Sequence, residues 1–401
     1  MSNSNPNSTL TKATLLLAST LTVMAGATIA PSLPAMQDQF ADVANVELWV
    51  KLVLTLPALF IVIGSPIAGV IVDRLGRKPL LLAAAILYGF AGGSGLILNS
   101  LFAILAGRAL LGLAVAGVMV SATTLIADYY IGAARAAFMG LQAAFMGLGG
   151  VLFLSVGGSL ASANWRLPFL IYLLAWLLIP LILFCIYEPS RSISNIPSIQ
   201  DGEVITDKSI PINLLVLIFS ITVLSQIIFY LIPVQLPFYL RSLTNATPTQ
   251  SGMAIAFSTL FSAFASLTYG RVRAKLDFVS ILPIIFGFMG IGYTIIGLVS
   301  SYALILFGLS FAGMGLGLLM PNMTVWVSAT VPDAVRGRAL GGLSTSLFLG
   351  QFLSPIVSQP VSAKLGLGLT YSLAGGVLLA LGILFIAMRQ QVIAFTASPS
   401  K

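Results

Sequence analysis

Long apolar runs separated by short polar breaks occupy almost the whole chain. A helix that crosses a bilayer needs about 20 mostly apolar residues. Twelve stretches meet that length: 12–34, 48–71, 79–98, 101–127, 136–161, 166–187, 211–240, 249–270, 280–299, 302–327, 337–362 and 367–388. The runs are continuous, whereas strands of a membrane barrel alternate over segments of about ten residues. The expected fold class is therefore all-α, a membrane protein of twelve transmembrane helices. The first ten residues are polar and lack the basic region and cleavage site of a signal peptide, so the first run is read as a retained helix. The longest polar stretch, 188–210, falls at the midpoint and reads as a linker. It divides the chain into a six-helix half at 1–187 and a second at 211–401.

Composition sharpens this picture. Of 401 residues, 58% are hydrophobic and only 7% are charged, against roughly a quarter in soluble domains. The mean hydropathy is +1.05. With no histidine and one cysteine, Cys185, the chain offers no His- or Cys-based metal site and no internal disulfide. No cofactor is expected, and no GxxxxGK[ST] nucleotide loop is present. The net charge of +8 would suit nucleic acid until the charges are placed. With the N-terminus inside, fourteen of the 19 Lys and Arg residues fall on the inner side. Four (Lys51, Arg166, Arg241 and Lys364) fall outside, and Arg108 lies within a helix. That bias places both termini in the cytoplasm and explains the basic balance without nucleic acid. The compact loops fit a bacterial inner membrane.

The two halves repeat at one offset. Gly69 opens GVIVDRLGRKPLL, and Gly270, 201 residues later, opens GRVRAKLDFVSIL. Arg135 opens RAAFMGLQAAFMGLGG, and Arg336, again 201 later, opens RGRALGGLSTSLFLGQ. Paired six-helix repeats point to a transporter with its site at the repeat interface.

The loop Gly69, Asp73, Arg74, Gly76, Arg77 and Lys78 resembles the signature loop of the major facilitator superfamily, and it lies between the second and third helices as in that family. Arg108 and Gly112 in the fourth helix resemble a second family motif. Gly140, Gly149, Gly157 and Gly158 resemble the helix-packing motif of the drug-export branch, although Phe153 and Leu154 stand where that branch has a Gly-Pro pair. The run Ala30 to Pro34 resembles the first helix of drug and siderophore exporters. The resemblance implies two pseudo-symmetric halves and alternating access. It also implies that Arg77 pairs with Asp128 and that Asp73 faces the start of the eleventh helix, as a cytoplasmic gate. In the second copy, Ala274 and Asp277 replace the aspartate and the second glycine, so a topogenic role is expected there.

The charges fill in the rest. Asp38, Asp42 and Glu47 lie outside, and the other eight acids, among them Glu188 and Asp333, lie inside, which accounts for all 11. None is expected deep in a helix, so no proton-carrying carboxylate is legible. Gly69 is expected to allow close helix approach and Gly76 a tight turn. Glu47 and Lys51, four apart, suit a surface ion pair. Arg108 has two readings: a brace bonded to backbone carbonyls or amides, and a participant in substrate binding or coupling. Buried amides and aromatics add further substrate or coupling candidates: Thr28, Gln142, Gln226, Tyr230, Gln235, Asn322, Trp326 and Gln351.

The expected function is secondary active export of small amphipathic molecules, drug-like or carboxylate-bearing, by proton antiport, from a chain working as a monomer in the lipid bilayer. A superfamily importer of a sugar, organic acid or other nutrient is the alternative, and a non-transporting membrane sensor is the alternative of another class. An enzyme is not expected, because no nucleophile–base or metal constellation is present.

Overall fold

The computed structural model describes residues 8–189 and 211–397. Most of the expected linker, with Arg191, Asp201, Glu203, Asp207 and Lys208, lies outside the described residues, as does Lys401.

The first half contains α1 (Thr9–Ala27), a 3₁₀ turn (Ala30–Ser32), α2 (Leu33–Gln39), α3 (Val46–Leu75), α4 (Arg77–Gly93), α5 (Leu101–Tyr129), α6 (Gly132–Ala163) and α7 (Leu174–Cys185). The second contains α8 (Ile212–Phe229), α9 (Leu231–Thr244), α10 (Pro248–Arg273), α11 (Phe278–Leu298), α12 (Tyr302–Thr330), α13 (Asp333–Ala387) and α14 (Arg389–Ala397). Among the described residues, eleven helical runs are long and apolar enough to cross a membrane. One of them holds two crossings, because Gly366 at φ 79° and ψ 164° breaks α13 into arms 333–365 and 367–387. The twelve crossings expected from apolar run length are therefore present.

Proline divides the first crossing of each half. α1 ends at Ala27 ahead of Pro31 and Pro34, and α8 ends at Phe229 ahead of Pro233 and Pro237. The ring removes a donor and opposes a continuous helix. The two breaks agree within one residue at the 201-residue offset.

The same offset recurs in packing. A Cβ on Gly112 of α5 would lie 2.4 Å from Pro57 O of α3, and one on Gly313 of α12 would lie 2.2 Å from Ser258 O of α10. Gly313 follows Gly112, and Ser258 follows Pro57, by 201 residues. Only glycine lets these backbones approach so closely, as small residues do in membrane bundles. The halves meet where α6 packs on α10, α3 on α13, and the Ala30–Ser32 turn and α2 on α9.

Candidate functional site

Broken helices expose carbonyls that lipid cannot satisfy, so side chains must. Arg108 is fully buried on α5. Its Nη2 donates to Ala25 O at 2.8 Å, in the last turn of α1. Its Nε donates to Val53 O at 2.9 Å, the carbonyl that Pro57 in α3 cannot serve. The guanidinium also lies 4.9 Å from the centre of the Tyr172 ring. Tyr88 Oη donates to Leu21 O at 2.7 Å. The second half uses tyrosines for the same task. Tyr293 Oη reaches Ile228 O at 2.8 Å and Phe229 O at 3.1 Å, and Tyr371 Oη reaches Leu231 O at 2.9 Å. Phe229 O is again a carbonyl that a proline, Pro233, leaves without a partner.

Between the halves lies a cavity of about 610 Å³. Of the sequence candidates, Thr28, Gln142, Tyr230 and Gln351 line it. Arg108, Gln226, Gln235, Asn322 and Trp326 do not line it; they are buried between helices. Gln235 donates to Ser358 at 3.1 Å. Asn322 meets Tyr269 and donates to Phe278 O at 3.1 Å, and Trp326 stacks on Phe278 at 5.5 Å. Gln142 does not reach Arg108 but donates to Ser19 Oγ at 2.8 Å. The wall also contains Phe229, which stands beside Tyr230, and Met119, Met139, Met146, Phe153 and Phe348, which sequence reasoning missed. Nothing in a helix that is apolar all round marks which side faces a cavity.

At the end of the molecule that carries residues 38–51, the halves are fastened together. Arg241 pairs with Asp38 at 2.7 Å, Ser162 and Thr249 hydroxyls meet at 2.8 Å, and a Cβ on Gly158 would lie 2.9 Å from Pro248 O. The Glu47–Lys51 expectation is corrected here. Lys51 is only 5% exposed, its ammonium sits 4.9 Å from the centre of the Phe238 ring, and it donates to Gln359 Oε1. Gln359 Nε2 donates in turn to Glu47. The i, i+4 spacing does align the two charges, but Gln359 of the other half sits against both, with Lys51 buried at that interface and Glu47 exposed at its rim.

The end that carries residues 73–78 is open, with Thr123 and Met139 of the cavity wall exposed. Arg77 Nε donates to Asp128 at 2.9 Å, as the loop resemblance implies. Asp73 and Arg74 are exposed. Gly76 adopts φ 105°, the turn expected of it. Gly69 departs from expectation: a Cβ there would meet nothing within 4 Å, because no helix covers this face of α3. Gly140 departs likewise, with nothing within 4 Å. The other three motif glycines are in close contact. A Cβ would meet Thr20 at 3.2 Å from Gly149 and Thr28 O at 2.4 Å from Gly157, and Gly158 is packed as described above.

Glu188 is a residue the sequence did not single out. Its carboxylate accepts from the backbone N–H groups of Arg77 at 2.8 Å and Lys78 at 2.7 Å, capping α4 from outside the helix. Lys78 Nζ donates to Leu183 O at 2.8 Å. At the 201-residue offset Gly76 corresponds to Asp277, and Glu188 to Arg389. Asp277 caps α11 through Ser280 N at 2.7 Å and pairs with Arg389. Partial burial acts to raise the Asp277 pKa, but hydrogen bonds from Arg389 and Ser280 outweigh it and hold the carboxyl below its usual range. A carboxylate thus caps the helix start in both copies, from the distant residue in the first and from the local one in the second.

The family model described as Major Facilitator Superfamily matches residues 15–244 and 218–392. A multi-drug resistance efflux pump PmrA homolog of Lactococcus lactis subsp. lactis (strain IL1403) is 26% identical over 328 residues, covering 79% of each chain. Multidrug resistance protein MdtG of Escherichia coli (strain K12 / DH10B) is 24% identical over 370 residues, 90% of this chain and 89% of that one. Among solved structures, a D-xylose-proton symporter superposes with TM-score 0.77 at 16% identity, covering 94% of this chain and 96% of that one. A bacterial homolog of the human lysosomal transporter Spinster, in an inward-facing and occupied conformation, gives TM-score 0.77 at 17% identity, covering 99% and 100%.

Proposed function

The chain belongs to the major facilitator superfamily and is a multi-pass membrane transporter, not an enzyme; from that premise we propose that it exports small amphipathic molecules by proton antiport across a bacterial inner membrane. The observation that carries this reading is the cavity between the halves, closed at one end and open at the other. Its wall is dominated by Met, Phe, Leu and Ala, with polarity supplied by scattered hydroxyls and two amides. A sugar or nucleoside needs many convergent hydrogen-bonding groups, which such a wall lacks, so an amphipathic cargo fits better than a nutrient. The two efflux relatives support the same direction. The basic loop at 73–78 supports a cytoplasmic position for the open end. The conformation is then inward-open, ready to accept cargo from inside. One chain holds the whole cavity, so a monomer is the working unit.

In this reading, Asp38–Arg241 and the Glu47–Gln359–Lys51 contact close the outer side, and both must part when that side opens. Arg77–Asp128 with Glu188 holds the signature loop as a rigid piece of the inner gate. Gly69 is uncovered here, and it becomes a packing face when the inner end shuts. The absence of a nucleotide loop from the sequence leaves an ion gradient as the energy source.

Everted membrane vesicles containing the protein test this. Amphipathic dyes should accumulate when a proton gradient is imposed and leak away with an uncoupler. Absence of dye uptake in everted vesicles, together with nutrient accumulation in intact cells, would overturn export.

A further inference from the structure

The cavity's electrostatics narrow its ligands further; export enters only as the reason a ligand is bound at all. Among the described residues that line the cavity, 30 in number, none is charged. An ion leaving water for that wall loses its hydration with no counter-charge to replace it. The formal charge immediately behind the wall is positive. Arg108 is fully buried and donates to the carbonyl of Ala25, which itself lines the cavity. No described residue forms an ion pair with this guanidinium, whose neighbours are the Ala25 and Val53 carbonyls and the Tyr172 ring. Carbonyl dipoles and the Tyr172 ring offset part of its charge, and the remainder acts across a low-dielectric wall. It opposes a cation and partly compensates an anion. The faces of Phe229 and Tyr230 attract a cation weakly, but they do so beside that same positive charge.

Gln142 adds direction. The Ser19 hydroxyl donates to Leu15 O at 2.8 Å. Its oxygen is therefore left to accept from Gln142 Nε2. This fixes the amide orientation and leaves Gln142 Oε1 as an acceptor for a ligand O–H or N–H.

We infer that the cavity selects uncharged amphipathic molecules bearing a hydrogen-bond donor, binds anionic analogues less well, and discriminates most strongly against permanent cations. The test uses one scaffold in three charge states. Pyrenylmethanol, pyrenylacetate and pyrenylmethyl-trimethylammonium are titrated into the purified full chain in detergent, with no gradient. The alcohol should bind tightest, the acetate next, and the ammonium about tenfold or more weaker than the alcohol. Gln351→Glu should invert the order of the two ions. Gln142→Leu should weaken the alcohol about tenfold while leaving methylpyrene, which has no donor, unchanged. Ammonium binding equal to or tighter than the alcohol in the unmodified chain overturns the inference, and so does absence of binding by all three. If a variant fails to fold, the order in the unmodified chain still decides. Ordered binding without uptake in everted vesicles sinks export and leaves the ligand class standing.

Discussion

At the scale of single residues, Arg108 holds the end of α1 and the proline-containing α3 with one guanidinium. Ala25 O and Val53 O both lie in the membrane interior, and each is left open by a helix end or a proline. A buried acceptor without its donor costs about 1–3 kcal/mol. Arg108→Gln and Arg108→Lys should therefore both lower the thermal stability of the purified chain, since neither presents a planar fork to two carbonyls. Unchanged melting of the lysine variant would remove the brace. A paired glycine test separates packing from helix propensity. Gly157→Ala drives a methyl to 2.4 Å from Thr28 O and should destabilise, whereas Gly140→Ala meets nothing and should be neutral or stabilising by about 0.5–1 kcal/mol. Thermal unfolding of both variants checks it. Residue type identifies Arg108 in the sequence as unusual. It does not reveal that Gln226, Gln235, Asn322 and Trp326 turn toward other helices, because a helix apolar on every side carries little information about its rotation.

At the scale of elements, the start of α4 depends on a carboxylate that lies 111 residues away from Arg77. Capping contacts are worth about 0.5–2 kcal/mol. Glu188→Ala should free the amides of Arg77 and Lys78, raising their hydrogen-exchange rates and loosening Arg77 from Asp128. Exchange rates identical to those of the unmodified chain would show that the cap is idle. The signature loop was legible because its residue types and spacing are unusual in an apolar chain. Its cap was not, since nothing local to Glu188 marks a partner so distant in sequence. The Lys51–Gln359 contact was hidden for the same reason, being made across 308 residues.

At the scale of the whole molecule, apolar run length alone revealed twelve crossings, because the bilayer imposes that length on every span. It does not show which end is shut. Contacts between the halves at the 38–51 end do. Cysteines replacing Ser162 and Thr249, whose hydroxyls meet at 2.8 Å, should form a disulfide in a chain with Cys185 replaced. Oxidation should arrest transport, and reductant should restore it; transport unimpaired by the cross-link would show that this end need not open. The two caps, Gly76 with Glu188 against Asp277 with Arg389, have a consequence for any exchange of segments between the halves. The first copy rests on a carboxylate against backbone N–H groups and the second on an ion pair, so the terminal residues cannot be traded singly. Glutamate at 389 would face Asp277 and repel it, and arginine at 188 would turn a cation toward backbone donors. A chimera must carry the cap residue and its distant partner together, which makes the two halves related in shape but no longer interchangeable in parts.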